Sequence, residues 1–183
     1  MATTFDINSF KSALINGGAR PNQFQVTVTY PNYVFNSTRQ ASFLVTTAEL
    51  PGSQVPPATI FYRGRAVNFA GDRVFSPWTV NVLNDAAFTV RTSMEQWMNG
   101  MDSLENKRGR TTPLGPNGYS ADLYVDQLDR NGAILKRYIL KDAFPTDLSP
   151  VALDFGANDQ ISQFQVQFVY QYFTTTNVPI SVV

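Results

Sequence analysis

Residues 119–142 constrain the fold more than any other stretch. Asn131-Gly132 is the dipeptide that a two-residue type I′ hairpin turn demands, because both central positions of that turn need positive φ. Folding the chain about it sets Asp126 opposite Arg137, Asp122 opposite Lys141 and Tyr124 opposite Ile139. The other face then pairs Val125 with Tyr138 and Leu123 with Leu140. One side of the ribbon is apolar and the other carries two opposite-charge pairs, each contributing about 0.2–1 kcal/mol across the strands. A slip of one residue would mix the two faces, so the register is itself an expectation to be tested.

Other stretches share the period-2 pattern of half-buried strands. In 23–30, Phe24, Val26, Val28 and Tyr30 alternate with Gln25, Thr27 and Thr29. The cleanest run is the last, where Phe164, Val166, Phe168, Tyr170 and Tyr172 alternate with glutamines, implying one long central strand. Residues 41–50 read as a strand covered on both faces, since Phe43, Val45 and Thr47 oppose Leu44, Thr46 and Ala48. Residues 59–69 read as a single strand with Phe61, Arg63, Arg65, Val67 and Phe69 on one face. The segment 144–150 reads as a turn cluster, 151–155 as a short apolar strand and 156–159 as a second turn.

Between these lies the run 68–85, read as strand, turn, strand and the start of a helix. Gly71, for its tolerance of positive φ, and Asp72, for its self-capping carboxylate, make 70–73 a tight corner. Trp78, Val80 and Val82 share one strand face, with Thr79 and Asn81 on the other. Asn84 or Asp85 is the N-cap for a helix over 86–100, whose Val90, Met94, Trp97, Met98 and Met101 recur at core-facing spacing, and Gly100 stands where a C-cap belongs.

The chemistry available to this chain is narrow. Its 183 residues contain neither cysteine nor histidine, which excludes disulfides, thiolate nucleophiles, Cys/His zinc sites and histidine-based triads. Lack of cysteine fits synthesis in a reducing cytoplasm. Fourteen basic residues balance fourteen acidic ones, so no basic excess advertises a nucleic-acid or anionic-membrane partner, and the self-repulsion that keeps copies apart is absent. Asp122 and Asp126 each face a basic residue, which keeps them ionised and structural rather than an acid/base pair. No metal-spaced cluster or nucleotide loop stands out, so no cofactor is expected and no enzyme is read from the residues. Neither a signal peptide nor a membrane-spanning run is expected. A basic trio, Lys107, Arg108 and Arg110, stands in a breaker-rich connection and reads as a solvated loop.

One domain over 1–183 is expected, with an N-terminal arm (1–19) carrying a short amphipathic helix capped by Asp6 or Asn8, and an apolar C-terminal tail (174–183) that packs on its own domain or on a neighbouring copy. The segment 50–57 is the richest in Pro and Gly and reads as an extended loop whose Leu50, Pro51, Val55 and Pro56 either waste apolar surface or dock on a neighbour. Arg63 and Arg65 are candidates for ion pairs between subunits. Tyr33, Tyr62 and Tyr119 are the loose candidates for a sugar-stacking surface, the alternative of a different class.

Gly-Gly-Ala-Arg-Pro-Asn-Gln-Phe-Gln-Val at 17–26, Arg-Gly-Arg at 63–65, Ala-Gly-Asp-Arg-Val-Phe-Ser-Pro-Trp-Thr-Val at 70–80, Asn-Asp at 84–85 and Trp-Met-Asn at 97–99 resemble the tail tube proteins of contractile-tailed, T-even-like bacteriophages. Phe-Pro-Thr-Asp-Leu at 144–148 and the closing Phe-Gln-Val-Gln-Phe are similar too, so the resemblance runs from about 17 to 173. It implies a mainly β, antiparallel sandwich or partial barrel with one flanking helix and a long hairpin. It further implies a structural virion protein whose six-membered rings, assembled in the host cytoplasm, stack into a tube inside a sheath. Sheath, baseplate and tape-measure proteins would be its partners, and DNA would pass through the lumen. On that reading Asp122, Tyr124, Asp126, Arg137 and Lys141 face the lumen, and Gly71, Asp72, Trp78, Asp85 and Trp97 hold a tube-wall strand to an outer strand and helix. A paralogue that initiates or terminates the tube would share the fold. The 50–57 loop, the arm and the tail depart from the family pattern.

Overall fold

The computed structural model describes residues 6–14, 18–34, 42, 44–104 and 118–177. The trio Lys107, Arg108 and Arg110, most of the loop 32–40, Phe43 and the final six residues lie outside them.

Among the described residues the elements follow the order α1 (Ile7–Ala13), β1 (Phe24–Val28), β2 (Val45–Ala48), β3 (Ser53–Gln54), β4 (Pro57–Tyr62), β5 (Arg65–Ala70), β6 (Val74–Phe75), β7 (Trp78–Leu83), α2 (Thr89–Met101), β8 (Ala121–Leu128), β9 (Ile134–Leu148), β10 (Gln163–Val169) and β11 (Tyr172–Asn177). Every strand pairing is antiparallel. The main sheet runs β1-β8-β9-β10-β7-β2, with β11 also on β9. The fifteen-residue β9 is shared: its first half pairs β8 and β11, and its second half pairs β10. Asp142, at φ 52°, marks the bend between the halves. The result is the expected partial barrel, flanked by α2, which packs its apolar face into the core.

The alternation puts one side of every core strand inward. Val26, Val28, Leu123, Val125 and Leu140 from one half meet Trp78, Val80, Val82, Phe164, Val166 and Phe168 from the other, and Val90, Met94 and Trp97 of α2 complete the core. Trp97 stacks edge-on to Tyr30 at 5.6 Å and against Phe168 at 6.0 Å, and its indole N–H donates to the Tyr119 carbonyl at 2.6 Å. The Trp78 indole donates to the Glu49 carbonyl, also at 2.6 Å. Both tryptophans therefore bury their rings without orphaning their one donor. The helix starts at Thr89 rather than 86, and Phe88 at φ 52° holds the N-cap position expected for Asn84 or Asp85. Asp85 still satisfies the first turn: its carboxylate accepts from the Thr89 amide at 2.8 Å and hydroxyl at 2.6 Å, and these bonds hold it below the usual carboxylate range.

Several expectations need correction. The single strand over 59–69 is instead the hairpin β4–β5, turning at Arg63-Gly64, both at positive φ (48° and 79°). Arg63 is thus a turn residue, so Arg63 and Arg65 do not share a strand face, and among the described residues this ribbon pairs with no other strand. The turn cluster at 144–148 is the second half of β9. Pro145 fits there because Thr146 is an extra residue of a bulge between Gln167 and Phe168, a place where a missing N–H is tolerated. Residues 151–155 form no strand, and Leu153 and Phe155 are exposed. The long final strand breaks at Tyr170 and Gln171, where the chain passes from one half of the barrel to the other as β11, so 174–177 is strand rather than trailing tail.

Smaller elements shift as well. β2 starts only at Val45 and leaves Thr46 and Thr47 exposed, so it is not covered on both faces. Gly71 has no positive φ; it matters because its amide donates to the Pro56 carbonyl at 2.9 Å, and a Cβ there would stand 2.5 Å from that oxygen. Gly100 lies inside α2 rather than capping it, leaving room for the Tyr33 ring that a Cβ would strike. The arm helix α1 buries none of its residues, and Asp6 caps it by position with no side-chain bond.

Candidate functional site

The hairpin β8–β9 carries the pairings read from the sequence: Leu123 with Leu140, Tyr124 with Ile139, Val125 with Tyr138 and Asp126 with Arg137. Its turn differs. The Gly132 amide bonds the Asp129 carbonyl at 2.9 Å and only Gly132 has positive φ, which makes a three-residue loop. A bulge between Gln127 and Leu128 offsets the extra residue and returns the strands to the expected register. Burial of Leu123, Val125 and Leu140 enforces that register from the core side.

The opposite face extends over four strands in rows. One row is Gln25, Asp126, Arg137, Thr176; the next is Thr27, Tyr124, Ile139, Thr174. The third is Lys141 and Tyr172, with Asp122 not in register opposite Lys141 as expected but at a bulge between Ala121 and Leu123, joined to Lys141 by their ion pair. Arg137 donates Nε and Nη2 to the two Asp126 oxygens, each at 2.7 Å, in a bidentate fork. Asp126 lies beneath it with 4% of its side chain exposed, against 39% for Arg137. The guanidinium also stands 5.7 Å from the Tyr124 ring centroid. Lys141 donates to Asp122 at 2.5 Å. Hydrogen bonding to Asp126 raises the Arg137 pKa, and hydrogen bonding to Asp122 raises that of Lys141, so both stay cationic through neutral pH. The lumen candidates Asp122, Tyr124, Asp126, Arg137 and Lys141 are thus brought together on one face.

The interface candidates separate. Leu50 (48%) and Val55 (47%) are exposed and so is Pro56, whereas Pro51 is buried. Beyond them β4–β5 projects with Ile60, Phe61 (76%), Tyr62, Val67 and Phe69 all exposed. Its base is clamped by the β3–β6 ribbon and the Gly71 bond to Pro56. Behind β6, Phe75 meets Tyr170 at 5.8 Å and Phe173 at 5.7 Å, and burial pushes the Tyr170 phenol up. Asp72 lies in the corner between β5 and β6. Of the sugar candidates, Tyr33 donates its hydroxyl to the Trp97 carbonyl, Tyr119 meets Phe144 edge-on at 5.5 Å, and Tyr62 is exposed with the Arg63 guanidinium 5.5 Å over its ring, so the three do not form one platform. Gly64, the sole glycine in an alternating run, was the available signal for the missed hairpin.

Among the described residues no helix is long and apolar enough to cross a membrane, and no cluster of three or more acidic residues is placed to hold a metal ion. The arrangement offers paired charges, hydroxyls and open strand edges: a surface for contact rather than for bond-making.

The phage tail tube protein family model matches residues 19–176. The chain is 30% identical over 171 residues to the tail tube protein of Serratia phage KSP90, covering 90% of this chain and 93% of that protein. It is 31% identical over 159 residues to the tail tube protein gp19 of Enterobacteria phage T4, covering 85% and 90%. In fold it is similar to a chain of the anti-feeding prophage baseplate, with TM-score 0.63, 13% identity and coverage of 88% and 97%. A chain of the sheath-tube complex of the extracellular contractile injection system PVC matches with TM-score 0.59, 13% identity and coverage of 97% and 100%. The chain belongs to the phage tail tube protein family, a family of structural components of the virion rather than enzymes.

Proposed function

We propose that this protein forms closed homomeric rings, six copies each, that stack into the inner tube of a contractile tail, with the charged face of β8 and β9 toward the lumen. The observation that carries this reading is the half-sheet β1-β8-β9-β11, which is sealed on its core side and open at both edges among the described residues. Its four strands alternate in direction, so β11 of one copy beside β1 of the next continues the antiparallel order. Repeating that head-to-tail contact around an axis gives a ring and removes the edges. Asp122, Tyr124, Asp126, Arg137 and Lys141 then line a conduit for DNA and a tape-measure protein, while sheath and baseplate proteins meet other surfaces.

The projecting β4–β5 hairpin, with Arg63 and Arg65, and the loop holding Leu50, Val55 and Pro56 reach neighbouring copies in the same or the next ring. An isolated two-stranded ribbon is marginal in water, and five exposed large apolar residues on this one need cover. Gly71, Asp72, Trp78, Asp85 and Trp97 hold that projection and the helix to the barrel.

Engineered disulfides test the edge pairing. Within one copy β1 and β11 are three strand spacings apart, about 14 Å, beyond the roughly 7 Å Cα separation a disulfide spans. The chain has no cysteine of its own, so pairing Gln25→Cys or Thr27→Cys with Thr174→Cys or Thr176→Cys can link only different copies. Oxidised tubes should give a denaturing-gel ladder ending at six. Rings visible by electron microscopy with no ladder for any combination would refute the edge pairing. Discrete rings at high concentration, without tubes, would instead assign the chain to a tube terminator.

A further inference from the structure

Four charged groups stand on the face proposed to line the lumen, and every cation among them is held by a carboxylate of the adjacent strand. Arg137 spends both arms of its fork on Asp126, and Lys141 donates to Asp122. The rest of the three rows is amide, hydroxyl and Ile139. We propose that Asp122 and Asp126 are specificity-determining residues that mask Arg137 and Lys141 from phosphate, so that DNA slides along this face without being bound. The proposal rests on the placement of the face in the lumen.

The geometry favours masking over simple repulsion. Asp126 is almost fully covered and sits beneath Arg137, so its charge is cancelled from below rather than displayed. A polyanion approaching the face meets guanidinium and ammonium groups whose nearest counter-charge is already in place at hydrogen-bond distance. Binding phosphate would require giving up a bidentate, charge-assisted contact to gain another of the same type. Without such an exchange no net contact forms, and the counterion release that drives non-specific DNA binding does not occur. The same pairs serve the sheet, because a one-residue slip between β8 and β9 separates them.

The test is duplex-DNA binding by the full chain, read by fluorescence anisotropy across a salt titration. Asp122→Asn with Asp126→Asn keeps side-chain volume and releases both cations. A fourfold variant adding Arg137→Gln and Lys141→Gln makes the same carboxylate changes with no cation to release. The wild type and the fourfold variant should bind weakly and alike. The double variant should bind more tightly, with a slope of log K against log salt steeper by about 1.8, from about 0.9 for each added phosphate contact. Asp122→Asn alone leaves the buried pair intact and should steepen the slope by about 0.9, which keeps the test valid if Asp126→Asn impairs folding. No gain in the double and single variants, or an equal gain in the fourfold one, overturns the masking. Tubes of the double variant should retain duplex DNA that wild-type tubes release. Tighter binding by free subunits with no change in tubes would overturn the lumen placement, so the two ideas fail separately.

Discussion

The half-sheet β1-β8-β9-β11 and the hairpin β4–β5 are both antiparallel ribbons of alternating sequence, yet only the first is finished within one chain. Leu123, Val125 and Leu140 give the half-sheet a buried side that fixes its register, and its polar side is satisfied by cross-strand ion pairs. The hairpin has no buried side: all twelve residues of its two strands are exposed. Alternation therefore reports a surface with two unlike faces, and whether one of them is covered inside the same copy depends on what the chain brings against it. The half-sheet is built into the core of the subunit, and the hairpin, in the assembly proposed above, takes its cover from neighbouring copies.

That contrast can be broken at three points. The largest effect on folding is expected from Leu140→Ala, which empties a fully buried position behind the charged face and should cost about 2–5 kcal/mol, measured by urea denaturation. A cost below that range would show that the half-sheet is not the subunit's stable centre. Next comes Gly71→Val, at the root of the hairpin. The new Cβ collides with the Pro56 carbonyl, a backbone atom with little room to give, and about 1–3 kcal/mol is expected. If this variant is as stable as the parent yet fails to assemble, the corner is an interface rather than a structural joint. The smallest folding effect belongs to Phe61→Ser, which should leave stability within about 0.5 kcal/mol while tubes shorten or vanish in electron micrographs. Tubes of unchanged length would remove the hairpin from assembly.

The face was legible in the sequence because several independent signals agree on it. Charge pairing, apolar alternation and the turn at Asn131-Gly132 all fix one register, and the structure reaches it by a different turn plus a compensating bulge. The hairpin was hard to read because the alternation of 59–69 continues across Arg63-Gly64, a lone glycine in a strand pattern marks a bulge as readily as a turn, and arginine at positive φ gives no compositional warning. The second half of β9 was hidden by Pro145, whose tolerance depends on a bulge opposite Phe168 that only the tertiary pairing creates. The switch of β10 into β11 was hidden because both segments continue one apolar rhythm while bonding different parts of the same partner strand.

The sharing of β9 between the two halves of the barrel has a mechanical consequence. Antiparallel ladder bonds lie perpendicular to their strands, and β9 is bonded to β8, β10 and β11 along its fifteen residues. Tension along this strand loads those ladders side by side, as rivets in a lap joint, so they yield together in shear and not one after another as in unzipping. The two halves of the barrel are riveted to the same beam, so in the tube proposed above a wall of such subunits would stretch as one body.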